Sequence, residues 1–232
     1  MSFMNKIIIV SIDSRVKWEN YIEFFKFIRQ EKLKQLDNIR FENDKKLIIL
    51  SEMLIRCLAC KLLNVENSSL KFYYNKYGKP YIKNQENFHY NVSRTEGAIC
   101  CYISNMGSVG IDIETINQDI FSNNVANAFF TENEKAYINS NKNNINERFL
   151  KVWTMKEAYL KYLGKGLFYS LKEFDVFNKC ICTKIKTIKF KKYIISLSED
   201  KPPQQLNIVH ISEIQLYCLF CKILKSRDKT RS

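Results

Sequence analysis

Two carboxylates, Asp112 and Glu114, stand two residues apart in the run Val109-Gly110-Ile111-Asp112-Ile113-Glu114. On a strand, residues i and i+2 project from one face, so these carboxylates converge while Val109, Ile111 and Ile113 turn toward a core. Neighbouring carboxylates repel unless one is protonated or a cation lies between them. An all-oxygen ligand set suits Mg²⁺, with phosphate completing its shell. The alternative is the solvated outer face of an edge strand.

A second group lies on the segment 147–167, ERFLKVWTMKEAYLKYLGKGL. At about 100° per residue, Phe149, Val152, Trp153, Leu160 and Leu163 form one apolar stripe. Lys156 falls inside that stripe, a position that calls for a buried anion. Glu157 and Lys161 flank it at i, i+4. They read either as a surface ion pair contributing about 0.2–0.5 kcal/mol, or as a third metal carboxylate beside two phosphate-binding amines, Lys156 and Lys161.

These residues need a frame. All six glycines lie between Gly78 and Gly166, so turns and close backbone approaches are expected there. Lys6–Asp13 reads as a buried strand, Trp18–Lys34 as a helix and Asp44–Leu63 as a longer one. Short strands are expected at Leu70–Tyr74, Asn91–Ser93, Ala98–Ser104 and Val109–Thr115, followed by a helix over Glu147–Leu163 that Gly164 ends. Phe174–Phe177, Lys184–Phe190, Ile194–Leu197 and Ile208–Leu224 alternate as strands, and Lys222–Ser232 reads as a frayed basic tail. A strand–helix–strands succession thus occurs twice, joined near Met106–Ser108. The expected class is α+β or α/β in two related halves, 1–106 and 107–225, with a disordered tail over 226–232.

The chain has 232 residues, 46% hydrophobic and 13% aromatic, which excludes general disorder. Lys and Arg number 37 against 24 Asp and Glu, a net charge of +13. That balance favours a polyanionic partner: nucleic acid, a phosphorylated cofactor, an acidic protein or an anionic membrane. No uncharged apolar run reaches the roughly 18 residues of a membrane span. No small-residue cleavage site follows the first ten residues, so no signal peptide is expected and the cytoplasm is the expected compartment. Cys57/Cys60 and Cys218/Cys221 have zinc-like spacing, but both pairs lie in apolar runs without Gly-bearing turns and read as core. Lys71–Lys83 (KFYYNKYGKPYIK) interleaves aromatics and bases as a nucleic-acid binder does. That reading leaves Asp112 and Glu114 unexplained and repulsive toward the ligand.

In order along the chain stand Gly78-Lys79-Pro80, FHYNVS (88–93), VGIDIE (109–114), FFTENE (129–134) and WTMKEAYLKYLGKGL (153–167). This set, over about residues 5–177, resembles the 4′-phosphopantetheinyl transferases of the surfactin-synthetase-activating type. Its core is G-[IV]-D-[IV]-E followed by W-[ST]-x-K-E-[AS]-x-x-K. The resemblance implies two pseudo-symmetric halves, each a small sheet packed with a long helix, with coenzyme A and Mg²⁺ in the cleft between them. The implied reaction moves the phosphopantetheine arm onto a serine of an acyl or peptidyl carrier protein in peptide, polyketide or fatty acid synthesis, releasing 3′,5′-ADP.

By the same likeness, Asp112, Glu114 and Glu157 would hold Mg²⁺, and Lys156 and Lys161 would neutralise phosphate oxygens. Glu157, Lys161 and Glu134 would be the catalytic residues. Lys79 and Pro80 would line the nucleotide pocket with Asn91 and Ser93 beside it, and the stretch from Gly164 to about Ile188 would meet the carrier protein. An acidic carrier would be steered by the positive chain; a monomer with neither nucleic-acid nor membrane partners is expected. Two departures concern the 3′-phosphate: Arg94 stands where the family has histidine, and Leu47 where it has arginine, leaving Lys45 or Lys46 to reach that phosphate. A relative that binds carrier protein with weakened coenzyme A use is the alternative.

Overall fold

In the computed structural model, which describes residues 5–116, 121–166 and 169–225, the run Lys6–Ser11 forms β1, and Ile7 through Val10 are all buried. Four consecutive buried β-branched residues suit a strand covered on both faces. A 3₁₀ segment over Trp18–Phe27 follows, then α1 (Gln30–Asp37) and α2 (Glu42–Leu63). The single helix expected over Trp18–Lys34 is therefore broken at Ile28, which is extended. Trp18, Tyr21, Phe24 and Phe27 recur every third residue, the 3₁₀ rather than the α repeat.

β2 (Phe72–Tyr74), β3 (Pro80–Ile82), β4 (His89–Thr95) and β5 (Ala98–Ser104) follow. Beyond the join come β6 (Gly110–Thr115), α3 (Asn123–Phe129), α4 (Glu132–Asn139) and α5 (Ile145–Leu163). The described residues close with α6 (Lys179–Cys182), β7 (Ile185–Phe190), β8 (Tyr193–Ser198), β9 (Asn207–Ser212) and α7 (Glu213–Lys225).

The strands build one sheet in the order β4-β5-β1-β9, a second in the order β6-β8-β7, and the hairpin β2-β3. Strand alternation divides the work of the first sheet. Ile8, Val10, Ile99, Cys101 and Ile103 pack toward α2. Ile7, Ile9, Cys100 and Tyr102 face the other way and meet Ile111, Ile113, Ile195 and Leu197 of the second sheet. The fold is thus α+β, layered as α2, sheet, sheet, α5. β6 is an edge strand by hydrogen bonding, yet Asp112 is buried because α5 and β4 cover it. The packing of α5 on β6 is close enough to require glycine: a Cβ on Gly110 would stand 1.9 Å from Ala158 O and 2.4 Å from Tyr162 N.

Further expectations are corrected. Ile208–Leu224 is a strand only to Ser212 and then becomes α7, where Leu216 and Phe220, one turn apart, enter the first core. β9 pairs in parallel with β1, so residues 207–225 pack with the first half rather than the second. Phe174–Phe177 is not a strand; Asp175 Oδ1 accepts from Phe177 N (2.7 Å) in a turn. Of the basic tail, Lys222–Lys225 belongs to α7 and 226–232 lies outside the described residues.

Glu52 of α2, buried, anchors the hairpin. It accepts from Arg29 (2.6 Å) and Arg56 (2.9 Å), and both guanidiniums lie over the Phe72 ring of β2. Among the described residues no helix is long and apolar enough to cross a membrane.

Candidate active site

The two sheets bring β4 against β6, and the period of two places Asn91, Ser93 and Thr95 opposite Asp112 and Glu114. Asn91 Oδ1 accepts from Ile111 N (3.0 Å), pinning the two strands. Ser93 Oγ donates to Asp112 Oδ1 (2.8 Å). From α5, Lys161 Nζ donates to the same Asp112 oxygen (2.6 Å) and to Ser93 Oγ (3.1 Å). Asp112 Oδ2 is buried and has no hydrogen-bond partner.

The neighbouring carboxyls share this desolvated corner. Burial first, then the charge of Asp112, pushes Glu114 up to about 7, against the opposing pull of Thr95, Lys161 and the Trp153 indole. Burial also raises Glu157, with Asp112 adding to it and Lys161 opposing. Among the described residues no group of three or more His, Cys, Asp or Glu side chains stands close enough together to hold a metal ion. What the corner offers is one open buried carboxylate oxygen beside two carboxyls held above their ordinary range.

Glu157 and Lys161 also line a cavity of about 270 Å³ with Tyr77, Gly78, Lys79, Pro80, Asn91 and Gly164. It lies between the hairpin turn of the first half and α5 of the second. A larger hollow, about 870 Å³, opens where β1 and β9 end. Its buried carboxylate, Glu213, already accepts from Tyr21 Oη (2.5 Å) and Asp13 N (2.7 Å) and pairs with Lys46 (3.4 Å).

Several residues singled out from the sequence stand elsewhere. Lys156 and Glu134 are fully buried and pair at 2.9 Å. Lys156 Nζ also donates to Leu171 O (2.7 Å) and Phe174 O (2.6 Å). Glu134 closes a capping box with Thr131 and accepts from Val176 N (2.9 Å). The buried anion that Lys156 required is therefore a protein carboxylate. The pattern T-x-x-E over Thr131–Glu134 carried the signal for that helix start.

Lys46 is buried, donating to Asp13 O (2.5 Å) and Val16 O (2.7 Å); Lys45 lies over the Trp18 ring. Neither reaches the cluster. Arg94 is exposed on the opposite face of β4 from Ser93, the face that packs on α2. Lys32 lies near it: burial first, then the charges of Arg29 and Arg94, lowers its pKa. Lys32 and Thr95 are neighbours that sequence reasoning did not single out, and Trp153 reads there only as part of the apolar stripe.

Comparison with known proteins places the chain in a family. Residues 15–106 match the family model described as 4′-phosphopantetheinyl transferase, N-terminal, and residues 108–211 match the model of the 4′-phosphopantetheinyl transferase superfamily. The chain belongs to the 4′-phosphopantetheinyl transferase superfamily. The two matches meet at residue 107, inside the join between the halves. The 4′-phosphopantetheinyl transferase gsp of Aneurinibacillus migulanus is 37% identical over 147 residues, 62% of this chain and 60% of that protein's length. The 4′-phosphopantetheinyl transferase Sfp of Bacillus subtilis is 28% identical over 172 residues, 74% of this chain and 75% of its own. The L-aminoadipate-semialdehyde dehydrogenase-phosphopantetheinyl transferase of Candida glabrata is 29% identical over 175 residues, 66% of this chain and 65% of its own.

Proposed function

We propose that the chain, a phosphopantetheinyl transferase by family, moves the phosphopantetheine arm of coenzyme A onto a serine of an acyl or peptidyl carrier protein with Mg²⁺, releasing 3′,5′-ADP. The observation that carries this reading is the corner of the cleft where Lys161 and Ser93 converge on one oxygen of Asp112 while its other oxygen is buried and open. Asp112, Glu114 and Glu157 would hold Mg²⁺. When bound, that ion supplies neutralisation of the pyrophosphate charge.

The serine oxygen attacks the phosphorus that bears the pantetheine arm, and the bond to the leaving 3′,5′-ADP breaks in line. Charge grows on the leaving phosphate, where the ammonium of Lys161 neutralises it. A carboxyl whose pKa burial has raised is a better proton acceptor, so Glu157, lining the cavity, takes the serine proton directly or through water. Arg94, with Lys32 beside it, takes the 3′-phosphate at the outer edge of β4. Lys156 and Glu134 act on the fold rather than on substrate. The net charge of +13 steers an acidic carrier toward a monomeric enzyme.

The test is intact-mass measurement of an apo carrier protein incubated with the enzyme, coenzyme A and Mg²⁺. The carrier gains the mass of one phosphopantetheine arm, and a carrier with the acceptor serine changed to alanine gains nothing. Absence of that gain from acyl and peptidyl carriers alike overturns the proposal.

A further inference from the structure

The turn between β2 and β3 belongs to the first half, yet its polar groups act at the end of a helix in the second. Helix α5 ends at Gly164, which is left-handed (φ +65) and closes back through Gly164 N to Leu160 O (2.9 Å). A helix C-terminus leaves its last carbonyls without intrahelical partners, and cations or amide donors satisfy them. Here the donors come from outside the helix. Lys79 Nζ donates to Lys161 O (2.6 Å) and, more distantly, to Tyr162 O (3.3 Å). Ser108 Oγ, in the join between the halves, donates to Tyr162 O (2.6 Å). Asn75 Nδ2 donates to Gly164 O (2.8 Å). Lys79 Nζ completes its set on Ser108 Oγ and Val109 O (both 2.8 Å), where β6 begins.

The turn is itself rigid. Asn75 Oδ1 accepts from Tyr77 N and Lys79 N (both 2.9 Å), and Asn75 N donates to Lys79 O (3.0 Å). The fit against α5 is close: a Cβ on Gly164 would meet Lys79 Cδ at 3.0 Å and Asn75 Nδ2 at 3.2 Å. The residue whose carbonyl Lys79 holds is Lys161, whose side chain reaches Asp112 from the same turn of helix.

We infer that the 75–79 turn is a clamp that caps α5 from the other half of the molecule, and that Lys79 and Asn75 are positioning residues that set where Lys161 stands in the cleft. Lys79 thereby differs from a nucleotide ligand: its ammonium faces protein oxygens in the helix cap and at the start of β6. The functional consequence rests on the proposed transferase reading; the clamp itself does not.

The experiment combines steady-state kinetics with hydrogen exchange. Lys79→Met and Asn75→Ala are each made alone and together with Lys161→Ala. If the clamp acts through Lys161, each single substitution lowers kcat at least fivefold while KM for coenzyme A moves less than about threefold. In the Lys161→Ala background the same substitutions cost less than about twofold, because residues acting through one group are not additive. In the absence of coenzyme A, amide exchange at residues 160–164 quickens at least fivefold in both single variants as the last turn frays.

A raised KM with kcat intact would show that Lys79 contacts coenzyme A and overturn the positioning role. A full additional loss in the Lys161→Ala background would also overturn it. Unchanged exchange at 160–164 would remove the clamp. Exchange does not depend on turnover, so it judges the clamp even if the wild-type chain proves to transfer nothing.

Discussion

Lys161 reaches across to Asp112 of β6, at 2.6 Å, instead of pairing along its own helix with Glu157. An i, i+4 pair would have been a helix-stabilising contact of a few tenths of a kcal/mol. The cross-element pair places a cation at the cleft corner and leaves Glu157 free to face the cavity. Lys161→Ala should therefore cost about 2–4 kcal/mol of activation energy, on the scale of removing one preorganised electrostatic donor. Rates under single turnover measure it. A change below about threefold, roughly 0.7 kcal/mol, would show that Lys161 belongs to the helix and not to the chemistry.

Glu114 gives the site a pH signature. Folding raises its pKa from an ordinary 4.5 to about 7, so between those values the folded state holds more protons than the unfolded chain. Its contribution to stability is complete below pH 4.5 and is lost as pH climbs through about 7. Glu114→Gln should remove that slope and leave the variant about 1–3 kcal/mol more stable than the wild type at pH 8, relative to their difference at pH 4.5. Urea midpoints at the two pH values check it. Because ionised carboxylates take up a cation, Mg²⁺ should raise the wild-type melting temperature more at pH 8 than at pH 5.5. Equal Mg²⁺ shifts at the two values would count against these carboxyls as the cation's ligands.

The Lys156–Glu134 pair has no exposed surface. Lys156→Met leaves a buried carboxylate without its cation and should destabilise the fold by about 3–5 kcal/mol. Adding Glu134→Gln should cost less than the sum of the single effects, since the stranded charge is gone. Denaturant titration of the three variants decides this. A Lys156→Met protein of wild-type stability that has lost coenzyme A affinity would instead put Lys156 on phosphate.

What was legible in the sequence was local. β1 and β5 are short continuous apolar runs, β6 alternates, α2 and α5 carry a helical period, and the glycines at 107 and 164–166 marked turns that frame the cleft. Partners distant in sequence were not legible. Lys156 announced a buried anion, but whether that anion was a phosphate or Glu134, 22 positions upstream by number, depends on how α4 packs on α5. Lys46 and Arg94 show the same gap: the chain beside them does not reveal that Lys46 turns into the β1–α7 network or that Arg94 shares a sheet face with α2. Ile208, Val209 and Ile211 are β-branched and read as strand, and that hid the helical spacing of Leu216, Phe220 and Ile223 just beyond.

Arg94 stands apart from the Asp112 corner, on the other face of β4, so its contribution should separate from the chemistry. Arg94→Ala should raise KM for coenzyme A about tenfold or more, the loss of a charge-assisted hydrogen bond of about 1.5–3 kcal/mol, with kcat little changed. With 3′-dephospho-coenzyme A the same substitution should have a much smaller effect. Equal losses on the two cofactors would show that Arg94 does not read the 3′-phosphate, and Lys32 would be the next residue to test.

Asp112 is the buried carboxylate that Lys161 and Ser93 hold by one oxygen and leave open at the other. The most direct test is transfer of the phosphopantetheine arm to an apo carrier protein by Asp112→Ala, followed by intact mass, alongside a urea titration of the same protein. The variant should unfold cooperatively and transfer nothing, while the wild type transfers with Mg²⁺, stops with EDTA and recovers when Mg²⁺ is restored. Wild-type turnover by Asp112→Ala would contradict the account.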